Sequence, residues 1–194
     1  MERKTASIIV LSGGTSKRFG SDKSLAKIVN KRLIDFVVSA IPPDFEIIIV
    51  GPDPQILNTS YMHMLEHPAG GGPVAGIEIA LQHCSSELMA VIATDMPFAM
   101  SHVLHLLSAF GVNDEAVMYK DSDGFQQPLA AFYRRDALEN AIHSLIPTQG
   151  RSMHELLAQL KIHDIPMSAE VEKAFIDIDT PEDFERAVQY FKTL

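Results

Sequence analysis

The stretch Ile8-Ile9-Val10-Leu11-Ser12-Gly13-Gly14-Thr15-Ser16-Lys17-Arg18-Phe19-Gly20-Ser21-Asp22-Lys23-Ser24 decides how the rest of the chain is read. Its first four residues are apolar, two Ile and a Val among them, and predict a buried strand. The strand stops at a run of glycines, hydroxyl side chains and cations. Glycine lets backbone N–H groups turn inward around an anion, and hydroxyls add donors. Arg18 and Lys23 add full positive charge, one as a planar fork and one as a point charge. A loop of this kind at the carboxyl end of a strand is suited to holding phosphates.

Two common phosphate loops do not fit. A P-loop places Gly directly before Lys-Ser/Thr, and here Asp22 precedes Lys23. The dinucleotide fingerprint Gly-x-Gly-x-x-Gly is not matched by Gly13, Gly14 and Gly20. From Leu11 to Lys23 the run instead resembles the opening loop of the molybdenum cofactor guanylyltransferases, Leu-x-Gly-Gly-x-Ser-x-Arg-Met-Gly-x-Asp-Lys, with Phe19 in place of Met.

The 194 residues suffice for one substantial domain, expected to span 1–194. Hydrophobic residues at 46% and charged ones at 21% describe an ordinary globular protein. No apolar run approaches the ~20 residues of a membrane span, and the residues before Ile8 do not read as a secretory signal. Cys84 is the single cysteine and excludes an internal disulfide, which suits a reducing cytoplasm. A net charge of −9 argues against a nucleic-acid-binding surface.

Beyond the opening loop, helical spacing at Leu33, Phe36, Val37 and Ala40 predicts a helix ended by Pro42-Pro43. Glu46–Val50 reads as a second buried strand stopped at Gly51-Pro52, and 61–65 as a weaker third. Gly70-Gly71-Gly72 leads into Pro73, which suits the first turn of a helix reaching about Leu81. Leu88–Ala93 is a fourth strand ending at Thr94-Asp95-Met96-Pro97. Ser101 is expected to cap the next helix, on which His102 and His105 lie one turn apart without a third metal ligand nearby. Strands follow at 116–119 and 129–133, joined through Asp121-Ser122-Asp123-Gly124, which reads as a turn and not a calcium loop. A helix from about Arg135 to Leu145, a capping box at Ser152 and Glu155 opening a helix to Leu160, and a short strand at 161–165 come next. Arg151, at that entrance, could meet an anion or be solvated. Thr180-Pro181-Glu182-Asp183 is a helix start, with Thr180 capping and Asp183 bonding back. Strands alternating with helices predict an α/β fold, a three-layer Rossmann-like domain with a mostly parallel sheet, whose ligands sit beyond the strands' carboxyl ends.

The resemblance extends along nearly the whole chain. Gly72-Pro73-Val74-Ala75-Gly76 is similar to the family's Gly-Pro-Leu-Ala-Gly, Asp95-Met96-Pro97 to its Asp-x-Pro, Gln127-Pro128-Leu129 to its Gln-Pro-Leu, and Asp177-Ile178-Asp179-Thr180-Pro181-Glu182-Asp183 to its Asn- or Asp-containing Thr-Pro-Glu-Asp segment. It implies transfer of GMP from GTP to the phosphate of molybdopterin with loss of pyrophosphate. It further implies Mg²⁺ on Asp95 and Asp179, with Asp177 the lesser candidate, and Arg18, Lys23 and Asp95 as catalytic residues. Leu11, Ser12, Gly13, Gly14, Lys23, Gly51, His67, Gly72 and Asp95 would hold the nucleotide. Family members place an Asp where His67 stands beside Glu66, so which of the two replaces it is open. Brief contact with proteins that assemble or accept the cofactor is also implied. Alternatives are cytidylyl transfer, another phosphorylated alcohol or sugar as acceptor, and a non-catalytic nucleotide-binding module.

Overall fold

The computed structural model describes residues 6–13, 26–66 and 70–194. Its strands are β1 (Ser7–Leu11), β2 (Lys27–Ile28), β3 (Lys31–Arg32), β4 (Glu46–Val50), β5 (Met62–Met64), β6 (Leu88–Ala93), β7 (Ala116–Lys120), β8 (Gln126–Arg134) and β9 (Ile162–Pro166). Its helices are α1 (Leu33–Ser39), α2 (Pro73–Leu81), α3 (Met100–Ala109), α4 (Arg135–Ser144), α5 (Met153–Leu157), α6 (Ala169–Ala174) and α7 (Pro181–Phe191).

Seven strands form one sheet in the order β5-β4-β1-β6-β8-β7-β9. β1 pairs in parallel with both β4 and β6, β4 with β5, and β7 with β9. β8 runs antiparallel to both of its neighbours. The sheet is therefore mostly parallel and β1 lies inside it, as expected.

Strand residues point alternately to the two faces, and the two main cores divide accordingly. Ile8, Val10, Ile47, Ile49, Ala90 and Ile92 pack with α1 and α3 on one face. Ile9, Ile48, Val50, Met89 and Val91 pack with α2, α4 and α5 on the other. Both faces of the inner strands are covered, which is why those strands read as unbroken apolar runs. A third cluster joins Ile28, Leu33, Phe98, Ile176, Ile178 and Ala187, tying the β2–β3 hairpin to the C-terminal helices.

Some local expectations are corrected. Between the opening loop and α1, where no strand was expected, Val29 at φ 47° and Asn30 at φ 68° form a two-residue hairpin loop with two-residue strands on either side. Those angles are the ones a tight primed turn requires. α3 begins at Met100 with Ala99 at the cap, so Ser101 lies inside the helix and does not cap it. α5 stops at Leu157, and α6 between β9 and α7 was not anticipated. Pro128 lies within β8 rather than at its entry, beyond the register shared with β6 and close to the irregularity in the β7–β8 pairing, where its missing N–H does no harm. Cys84 is buried, and desolvation pushes its thiol up to about 12.

Candidate functional site

The carboxyl ends of β1, β4, β5 and β6 lie together, and backbone hydrogen bonds knit the segments that leave them. Ser12 N donates to Val50 O at 2.8 Å, Thr94 N to Leu11 O at 3.1 Å, and Gly51 N to Met64 O at 2.9 Å. Ser12 Oγ also donates to Val50 O, at 3.1 Å. Leu11, Ser12, Gly13, Gly51 and the start of the Asp95 turn are thus brought to one end of the sheet. Arg18, Lys23, Gly14 and His67 lie outside the described residues.

Glu66 closes this end between the first loop and α2. Its Oε2 accepts from Gly70 N at 3.1 Å and Gly71 N at 2.9 Å. Its Oε1 lies 3.5 Å from where a Cβ on Gly13 would be and 3.3 Å from the equivalent point on Gly76. The Glu66 carboxylate thus faces Gly13. The glycine loop is braced from the other side as well, since Gly150 N donates to Gly71 O at 2.8 Å. The segment carrying Gly150 is fixed to α2 by a part-buried hydrogen bond from Oγ1 of the buried Thr148 to Glu78. Gly72, at φ 89°, adopts a backbone open to glycine and turns the chain into Pro73.

Arg151, considered above for an anion, is held by its neighbours. Its NH1 meets Glu155 Oε1 at 2.9 Å and its Nε donates to Leu145 O at 3.2 Å. His102 and His105 stack edge to face at 6.0 Å, and His102 also tilts onto Phe175. Burial and the neighbouring His105 lower the pKa of His102.

The acidic groups come from two distant segments. Asp95 stands at the tip of β6, and its carbonyl accepts from Ile178 N at 3.0 Å. Ile176 and Ile178 are buried in the third core cluster, so in this extended segment the alternate residues Asp177 and Asp179 turn outward on a shared face. One carboxylate oxygen from each of Asp95, Asp177 and Asp179 lies within 4.8 Å of the other two. Among the described residues this is the group of three or more metal-ligating side chains that could hold an ion. A donor set made wholly of carboxylate oxygens suits a hard cation such as Mg²⁺, which takes one or two protein carboxylates and completes its shell with phosphate and water. The residues present therefore fit the ion the resemblance implies. Sequence reasoning ranked Asp177 below Asp179, whereas the geometry treats the two alike.

Solved structures share this architecture. The molybdopterin-guanine dinucleotide biosynthesis protein A of Archaeoglobus fulgidus superposes with a TM-score of 0.73 at 25% identity, covering 97% of this chain and 100% of that one. A nucleotidyl transferase from Methanothermobacter thermautotroptrophicus superposes at 0.76 and 14% identity, covering 97% and 98%. The fold is that of the α/β nucleotidyltransferases. Residues 8–164 match the MobA-like NTP transferase domain, and the chain belongs to that family. A probable molybdenum cofactor guanylyltransferase of Bacillus cereus (strain ZK / E33L) is 26% identical over 191 residues, covering 92% of this chain and 94% of that protein. Among the described residues no helix is long and apolar enough to cross a membrane.

Proposed function

We propose that this nucleotidyltransferase moves GMP from GTP to the terminal phosphate of molybdopterin and releases pyrophosphate. The observation that carries the reading is the meeting of Asp95, Asp177 and Asp179 at the tip of β6, beside the start of the glycine-rich loop. Asp95 and Asp179 would hold Mg²⁺, with Asp177 beside them. When bound, the ion offsets negative charge on the triphosphate and on the departing pyrophosphate.

The acceptor phosphate is already ionised near neutral pH, so no side chain need act as a base. What the chain supplies is the gathering of anions and stabilisation of the charge that develops. Arg18 and Lys23 would contact the phosphates, and the amides of the loop from Ser12 through Gly14 would donate to them. Leu11, Gly13, Gly51 and Gly72 would line the nucleotide, and His67 is the remaining residue we assign to it. A Cβ on Gly13 would meet Glu66 Oε1 at 3.5 Å and the Gly51 Cα at 3.9 Å, both ordinary contacts, and Gly13 does not have a positive φ. Neither the backbone nor the packing demands glycine there, so we read the missing side chain as leaving room for a bulky base, a purine, over a pyrimidine. The Bacillus relative's name agrees with guanylyl transfer.

The test is a competition assay with equal GTP, CTP and ATP, Mg²⁺ and molybdopterin, following pyrophosphate and the dinucleotide product. GTP should be consumed first. A clear preference for CTP would overturn the argument from Gly13. Transfer to a sugar or alcohol phosphate but not to molybdopterin would overturn the acceptor.

A further inference from the structure

His63 lies outside the set assigned above, and the role inferred for it below rests on the nucleotidyltransferase reading. The side chain projects from the edge strand β5 and is half-buried. Its Nε2 lies 2.6 Å from Gly51 O. A carbonyl oxygen only accepts, so Nε2 carries the proton and donates. The same strand also holds the other side of Gly51, whose N–H donates to Met64 O at 2.9 Å.

Gly51 needs such restraint. Its φ of 130° lies where side-chain-bearing residues rarely go, and glycine loses more freedom on ordering than any other residue. It is also wedged against the first loop. A Cβ on Gly51 would sit 2.5 Å from Ser12 Oγ and 2.9 Å from both Ser12 C and Gly13 N. Gly51 therefore packs directly on the Ser12–Gly13 backbone, an approach that its lack of a side chain admits.

We infer that His63 is a positioning residue that fixes the Gly51 carbonyl and thereby holds Ser12 and Gly13 in the form that receives the nucleoside triphosphate. It touches neither the acidic cluster nor, on this reading, the reacting phosphorus. Its effect falls on nucleotide binding and not on the chemical step.

Three variants test this. His63→Gln keeps an N–H donor at a reach similar to Nε2, His63→Asn is too short to reach Gly51, and His63→Leu removes the donor. Calorimetric titration with GTP and Mg²⁺ should show Kd raised about three- to tenfold in the Leu and Asn variants, with the Gln variant within about twofold of the parent. In pyrophosphate release, KM for GTP should rise in parallel while kcat stays within about twofold. Equal affinity in the Leu variant and the parent overturns the proposal, as does a fall in kcat at unchanged Kd. Should the Leu variant fail to fold, equal affinities of the Gln and Asn variants overturn it in its place. If the parent protein binds no nucleoside triphosphate, the nucleotidyltransferase reading fails and this proposal with it. If the parent binds and the variants are indifferent, this proposal alone fails.

Discussion

Asp95 has two separable jobs. Its carbonyl receives the Ile178 amide, while its carboxylate faces Asp177 and Asp179. Asp95→Asn keeps the first and removes the charge of the second. We expect turnover to drop by ~10²-fold or more, as when one charge-stabilising group is lost, with the melting temperature little changed. Asp179→Ala should cost less, because Asp177 shares its face. Full activity in Asp95→Asn would place the metal on other residues. Asp95 stood out by its place, at a strand tip and spaced after the phosphate loop, because an Asp before a turn commonly just caps it. Asp177 and Asp179 were named through the resemblance alone, and spacing says nothing about which carboxylate reaches inward. His63 left no trace in the pattern, since one histidine in a short, half-buried strand looks like any polar edge residue. That Glu66 accepts from Gly70 and Gly71 is equally invisible in the sequence, because those bonds depend on how the glycine loop folds back.

Helix starts with reciprocal side-chain bonds read reliably, because the chemistry is local. Ser152 Oγ accepts from Glu155 N at 3.2 Å while Glu155 accepts from Ser152 N at 2.8 Å. Thr180 and Asp183 do the same at α7. Ser101 misled because a serine near a helix start need not be its first residue. The hairpin strands were too short to show a period of two, and nothing in the residues of β8 records its direction. The Glu155 cap makes a pH-dependent claim. Hydrogen bonds from the Ser152 amide, Arg151 and the Ser152 hydroxyl lower its carboxyl from 4.5 to about 2. A depressed folded-state pKa gives stability that is present above the unfolded value and lost as pH falls through the folded one. Glu155→Gln should therefore melt below the parent near pH 7, and the gap should close between about pH 4.5 and 2. A gap independent of pH would mean that the charge contributes nothing.

The molecule is held together at its C-terminal side by aromatic contacts that bridge separate elements. Phe98, buried just after the Asp95 turn, meets Phe36 of α1 at 5.5 Å and Tyr190 and Phe191 of α7 at 5.2 and 6.4 Å. Phe98→Ala should cost about 3–5 kcal/mol in chemical denaturation, the range for a large buried aromatic. A loss below about 1 kcal/mol would show that α7 docks without it. The amide of Ile178 on the carbonyl of Asp95 has a consequence for how the protein is made. During synthesis, β1, β4 and β6 leave the ribosome well before Ile178 does, so a growing chain can pair its central strands while Asp95 still faces water without Asp177 or Asp179. The acidic cluster is completed by a stretch translated after every strand of the sheet. A chain ending before Asp177 would hold every strand of the sheet and Asp95, yet lack two of the three acidic groups.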